Sequence, residues 1–268
     1  MNWSLWIRQV GAVARLELRR FFAARRWAGV YFVALAPVLM TFAGARFTEL
    51  RQQPLGSLSL GYATLFQLFI LRFGIFVSSA LILSQAFRGE ILEKTLHFYL
   101  LAPVRREVIA IGKYVAGVVF VAALYTAATI ASHLLMHSAN PDFGSFFLEG
   151  EGMRHLLGYI TVTILACIAC GAVFLLIGLL VKNPGVPAFF LLGWESLNFA
   201  LPATLQKLSV IHYLQALLPV VVDHGPFAVV TEPTSPIFGI PILLAASAVL
   251  LAVSGWAVRY AEITYSAD

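Results

Sequence analysis

Charge is the scarcest commodity in this sequence: 18 Lys+Arg and 13 Asp+Glu among 268 residues amount to 12%, against about 25% in a soluble globular domain. The hydrophobic share of 60% and mean hydropathy of +0.86 exclude a water-soluble fold, disorder, collagen and coiled coil. Cysteine is nearly missing as well. Cys167 and Cys170 stand three apart in an apolar run, which supplies no disulfide framework. The first 26 residues scatter six arginines and hold no uninterrupted apolar block, so no cleavable signal peptide is expected. No internal repeat, low-complexity tract or extracytoplasmic domain is found. A phosphate-binding G-x-x-x-x-G-K-[ST] loop is missing too, because the one Gly-Lys pair, Gly112-Lys113, is followed by Tyr114. The net charge of +5 and pI of 9.4 are therefore read as cytoplasmic loop charge, and no nucleic-acid partner is expected.

What is present is a series of charge-free gaps. A charge at the bilayer centre costs about 2.5–3.5 kcal/mol on insertion scales, and a crossing helix needs about 20 apolar residues. The gaps predict six spans: about Trp27–Ala45, Tyr62–Phe87, Tyr114–Met136, Leu157–Val181, Val186–Leu205 and Ile237–Val258. The run Leu208–Val222 is too short to cross and reads as a re-entrant or interfacial hairpin within residues 206–236. Of the basic residues, 13 fall on one face: six in the N-terminal segment, five from Arg88 to Lys113, then Lys182 and Arg259. Only Arg46, Arg51, Arg154 and Lys207 fall on the other. The positive-inside rule makes the richer face cytoplasmic, with both termini there, in an inner membrane. The whole chain, 1–268, is expected to form one all-α polytopic domain.

Residues 1–26 read as an amphipathic interfacial helix. On a wheel of about 100° per residue, Arg8, Arg15, Arg19 and Arg26 share one sector, while Trp3, Trp6, Ile7, Val10, Val13 and Phe21 cluster opposite. Arginines over tryptophans fit a helix on anionic cytoplasmic lipid. Glu17 falls on the apolar side, which an anchor alone does not explain.

The stretch from Arg88 to Lys113 is too charged to span. Leu92, Leu96 and Leu100 form a stripe at i, i+4, with Glu90, Glu93, Lys94 and His97 elsewhere. Pro103 disfavours helix at Ala102 and suits the first turn of a second helix. The segment reads as helix, kink, helix. At these residues the chain resembles the permeases of ABC-2 type exporters. The resemblance lies in Glu90, Thr95-Leu96, Leu100-Leu101, Pro103-Val104, Arg105-Arg106 and Gly112-Lys113. It extends to the surface-lying N-terminal helix, the six spans and the apolar hairpin before the last. In that family the segment 88–113 is the coupling helix, seated in a groove of a separate ATPase. The resemblance thus implies ATPase-coupling roles for Glu90, Glu93, Lys94, Thr95, Leu96, Leu100, Pro103, Arg105 and Arg106. It also implies two ATPase copies carrying ATP and Mg, a second permease copy in a homodimer, and no cofactor in this chain.

Two charges fall inside expected spans. Arg72 lies 16 residues before Arg88, about 24 Å along a helix; it either snorkels outward or faces the interior. Glu195 lies near the midplane. It is expected, with Trp194 and Asn198, to face a transport path or gate within reach of Arg72, the alternative being a structural contact between helices. His133 and His137, at i, i+4, have no third ligand of helical spacing among Met136, Asp142 and His155, so no metal site is expected. Two other functions fit the sequence less well than an exporter permease: an integral-membrane lipid enzyme centred on Arg72, Glu195 and the outer histidines, and a non-transporting assembly factor.

Overall fold

In lipid, each backbone N–H and C=O must be satisfied within the chain, which leaves helices or a closed barrel as spanning structures. A computed structural model describes residues 3–46, 53–92, 104–138, 140–222 and 234–260, the side chains of 90–92 and 260 excepted. Every element among the described residues is helical. α1 is Trp3–Ala23 and α2 is Ala28–Arg46. A continuous run follows as α3 (Leu55–Leu65), a π-helical segment (Phe66–Ile75) and α4 (Phe76–Leu92). Next are α5 (Arg106–Ser138), the short α6 (Phe143–Leu148) and α7 (Gly152–Leu180). The remainder comprises α8 (Gly185–Ser196), a 3₁₀ turn (Asn198–Ala200), α9 (Ala203–Gln206), α10 (Val210–Gln215) and α11 (Pro236–Tyr260).

Five stretches are long and apolar enough to cross a membrane: Arg25–Arg46, Leu55–Gly89, Arg106–Ser138, Gly152–Leu180 and Pro236–Arg259. This is an all-α membrane protein. The expected span Val186–Leu205 is not one continuous helix. α8 stops at Ser196 after 12 residues, about 18 Å. Beyond it Pro202 forces Leu201 into extended backbone (φ −79°, ψ 154°). An uninterrupted apolar run therefore did not mean an uninterrupted helix.

α5 is the central helix, packed by α1, α2, α4, α7 and α11. Its most apolar window is 61% buried, as is that of α7, against 22% for α2 and α11. The outer helices turn Phe32, Phe238 and Trp256 outward, as lipid-facing surfaces do. At Gly178 on α7 a Cβ would lie 2.3 Å from the Ser84 carbonyl oxygen, so only glycine lets α4 and α7 approach this closely.

Side-chain contacts define two ends. At one, Arg106 Nη1 donates to the Arg259 carbonyl at 3.1 Å and Arg259 Nε bonds Glu107, joining the last turn of α11 to the first of α5. Arg88 and Lys182 share a cleft at the same end. At the other end, Asn140 Nδ2 donates to the Gln53 carbonyl at 3.0 Å, and Pro219 lies against Gly158 in the first turns of α7. The basic residues Arg88, Arg105, Arg106, Lys113, Lys182 and Arg259 thus gather at one end, with Arg154 opposite.

Candidate functional site: buried charges at a helix break and at the elbow

α8 ends inside an apolar region, which orphans carbonyls at its C-terminus and N–H groups at the start of α10. Two charges supply the missing partners. The Arg72 guanidinium, 5% exposed, donates from Nη1 to the carbonyl of Ser196, the last residue of α8, at 3.0 Å. Glu195, 6% exposed, accepts from the Val210 N–H at 3.0 Å and the Ile211 N–H at 3.2 Å, the first two amides of α10. The Ser209 hydroxyl, at the N-cap, donates to the same carboxylate at 2.6 Å, and Asn198 Nδ2 donates to Ser209 Oγ at 2.5 Å. Each charge sits at the pole of a helix dipole that favours it, cation at a C-terminus and anion at an N-terminus. Arg72 and Glu195 also attract each other across the break.

Arg72 lies within the ten-residue π-helical segment. Wider π turns shift the register of the side chains that follow, and such bulges concentrate at functional sites. Gly74 in this segment meets Tyr125 of α5, where a Cβ would come within 2.6 Å of the ring. The tyrosine hydroxyl is shared with Ser78 at 2.8 Å. Of the expected path residues, Arg72, Glu195 and Asn198 come together at one locus, with Trp194 half-buried beside it. Arg72 does not snorkel. Sequence reasoning missed Ser209 and the π segment. Ser209 was findable as an N-cap serine just before an apolar turn, whereas no residue pattern marks a π segment.

The second locus is the end of the elbow. Lys113 Nζ stands 2.9 Å from Glu17 Oε1, with side chains 1% and 5% exposed, and Arg20 Nη1 approaches the same oxygen at 3.4 Å. Lys113 also lies 5.5 Å above the Phe87 ring. One residue earlier, a Cβ on Gly112 would meet Val13 at 2.6 Å, so glycine is required where α1 presses onto α5. Phe21 then packs on Phe120. Val13, Glu17 and Phe21 thus follow Gly112, Lys113 and Phe120 in step. The position of Glu17 on the apolar side of α1 has its explanation in Lys113. Arg8, Arg15, Arg19 and Arg26 remain exposed on the far side, as the wheel predicted. Of the other elbow residues, Glu93, Lys94, Thr95, Leu96, Leu100 and Pro103 lie outside the described residues, as does the Glu90 side chain. Arg105 directly precedes α5 and Arg106 opens it.

A third polar group lies towards the opposite end. His133 and His137 are buried with ring centroids 4.4 Å apart. His137 Nε2 is 3.2 Å from Ser59 Oγ and its Nδ1 is 2.9 Å from the His133 carbonyl. Tyr62 donates to the Thr129 carbonyl at 3.0 Å. Phe146 stacks on His137 and separates it from His155. Among the described residues no three His, Cys, Asp or Glu side chains are grouped to hold a metal ion. Cys167 and Cys170 are buried free thiols. Against known proteins, the chain matches no family model and no curated protein.

Proposed function

We propose that this chain is the permease subunit of an ATP-binding cassette exporter, working as a homodimer with two copies of a separate ATPase. The observation that carries the reading is the buried Glu17–Lys113 ion pair. It ties the amphipathic N-terminal helix to the Gly112-Lys113 end of the elbow, the segment whose residues resemble a coupling helix. A displacement of the elbow by a partner closing on ATP moves α1 and α5 together, since the ion pair and the Gly112–Val13 contact bind them at one level. Force then reaches the bundle through its central helix.

The proposed topology has six crossings, the fifth of them broken. Residues 182–185 share a cleft with Arg88 at the basic end, and Pro219 touches Gly158 at the other. Along α7 these levels are 22 residues apart, about 33 Å, the depth of a hydrocarbon core. In this topology residues 185–219 cross that depth in pieces, while residues 223–233 of the expected outer hairpin lie outside the described residues. By the positive-inside rule the basic end is cytoplasmic. Broken helices beside a polar locus are what alternating-access machines use, and Arg72, Glu195 and Asn198 are the residues proposed to gate the path.

The test is affinity purification of the full chain from its native membrane, followed by peptide identification. An ATPase bearing a phosphate-binding loop is expected in equal amount, and Glu90→Ala with Glu93→Ala is expected to release it. Recovery of the chain with no nucleotide-hydrolysing partner overturns the proposal.

A further inference from the structure

At the basic end, a cleft of 460 Å³ opens between the last turns of α4 and the link from α7 to α8. Its rim carries Arg88 on one wall and Lys182 with Asn183 on the other. No carboxylate lines it among the described residues, and neither cation forms an ion pair among them. The walls change character with depth. Ala80 and Leu81 precede Arg88 by about two turns, roughly 10–12 Å along the helix, and Ala188 faces them from the first turns of α8. Two cations thus stand at one end of a cleft whose far end is lined by Ala80, Leu81 and Ala188, with Ser84 and Gln85 between them, which makes the cavity amphipathic.

We propose that this cleft binds a phospholipid with net negative charge from the leaflet at the basic end. Its phosphate sits between Arg88 and Lys182, and an acyl chain lies along Ala80, Leu81 and Ala188. Basic pockets between membrane helices recognise such headgroups by charge, while burial of a chain against the alanines and leucine adds the apolar term. A free phosphate matches only the rim and leaves the slot uncovered. The inference rests on the chain being a multi-pass membrane protein and is independent of the exporter reading, since it requires no ATPase.

The experiment is native mass spectrometry of the purified full chain titrated with phosphatidylglycerol or phosphatidylcholine. Retention of phosphatidylglycerol over phosphatidylcholine is expected. Arg88→Gln with Lys182→Gln should lower it roughly fivefold per cation, about twenty-five-fold together. Ala188→Trp, which fills the slot and keeps both charges, should also lower it. Arg154→Gln, at the opposite end, should not. Unchanged retention in the Arg88/Lys182 variant overturns the proposal, as does equal retention of the two lipids. Displacement of the lipid by millimolar inorganic phosphate overturns it in favour of a small-anion site. If Ala188→Trp does not fold, the Arg88/Lys182 variant decides alone, since those side chains are exposed or half-exposed.

Discussion

Among the described residues two carboxylates are buried, Glu17 and Glu195, equally hidden and held by different means. Glu17 answers a side chain, Lys113, across two helices far apart in sequence. Glu195 answers chiefly the backbone: two amides at the start of α10, with the Ser209 hydroxyl as a third donor, while Arg72 serves the carbonyl of Ser196 on the other side of the break. A side-chain pair can be replaced as a unit, because removing both members leaves no orphan. A staple on a broken helix cannot, because the backbone groups that it satisfies remain after it is gone.

The largest expected effect follows from that distinction. Lys113→Met takes from buried Glu17 the nearer of its two cations, leaving Arg20 at 3.4 Å, and should cost up to about 3–5 kcal/mol, whereas Glu17→Met with Lys113→Met should recover most of the loss. Arg72→Met with Glu195→Met should recover nothing over the single variants. Unfolding titrations in mixed detergent read both cycles, and recovery in both would erase the contrast.

Glu195→Gln keeps the shape and removes the charge, for a loss of about 1.5–3 kcal/mol, the value of hydrogen bonds to an ionised acceptor. Hydrogen exchange at the Val210 and Ile211 amides should accelerate with it; native-like protection there would mean that the carboxylate does not hold α10. Overpacking comes next. Gly112→Ala drives a methyl into Val13 and should cost about 1–3 kcal/mol, partly restored by Val13→Ala. A thermal-melting cycle that shows no coupling between these positions would separate α1 from α5. The smallest effect belongs to the opposite end, where the Arg154–Glu151 pair has side chains 76% and 62% exposed. Arg154→Ala should change stability by about 0–1 kcal/mol, and a larger loss would show that exposed charge matters here as much as buried charge.

Much of this was legible beforehand. The charge-free gaps located each of the five long helices, because a charge excluded from hydrocarbon leaves its mark on composition. Of the α1 sector opposite the exposed arginines, Val13 and Phe21 meet α5 whereas Trp3 and Ile7 are exposed, because periodicity marks an apolar face without saying what covers it. The elbow was legible only as pattern and resemblance, and most of its side chains lie outside the described residues. The fifth span was misjudged in its continuity. Hydropathy counts apolar residues and is blind to whether freed backbone groups at Leu197–Leu201 find partners elsewhere. For the Leu201 carbonyl that partner is the Gln206 side chain, and for the Ser196 carbonyl just before the break it is Arg72, 124 residues away in sequence.

By composition and periodicity alone the chain settled that it is helical, that it belongs in lipid, and which residues gather at its basic end, since these follow from transfer free energies summed residue by residue. Which buried charge meets which partner was decided only by tertiary structure. A carboxylate buried in a membrane protein must find a donor, yet nothing in its own neighbourhood says whether that donor is a lysine 96 residues away, as for Glu17, or two amides 15 and 16 residues on, as for Glu195.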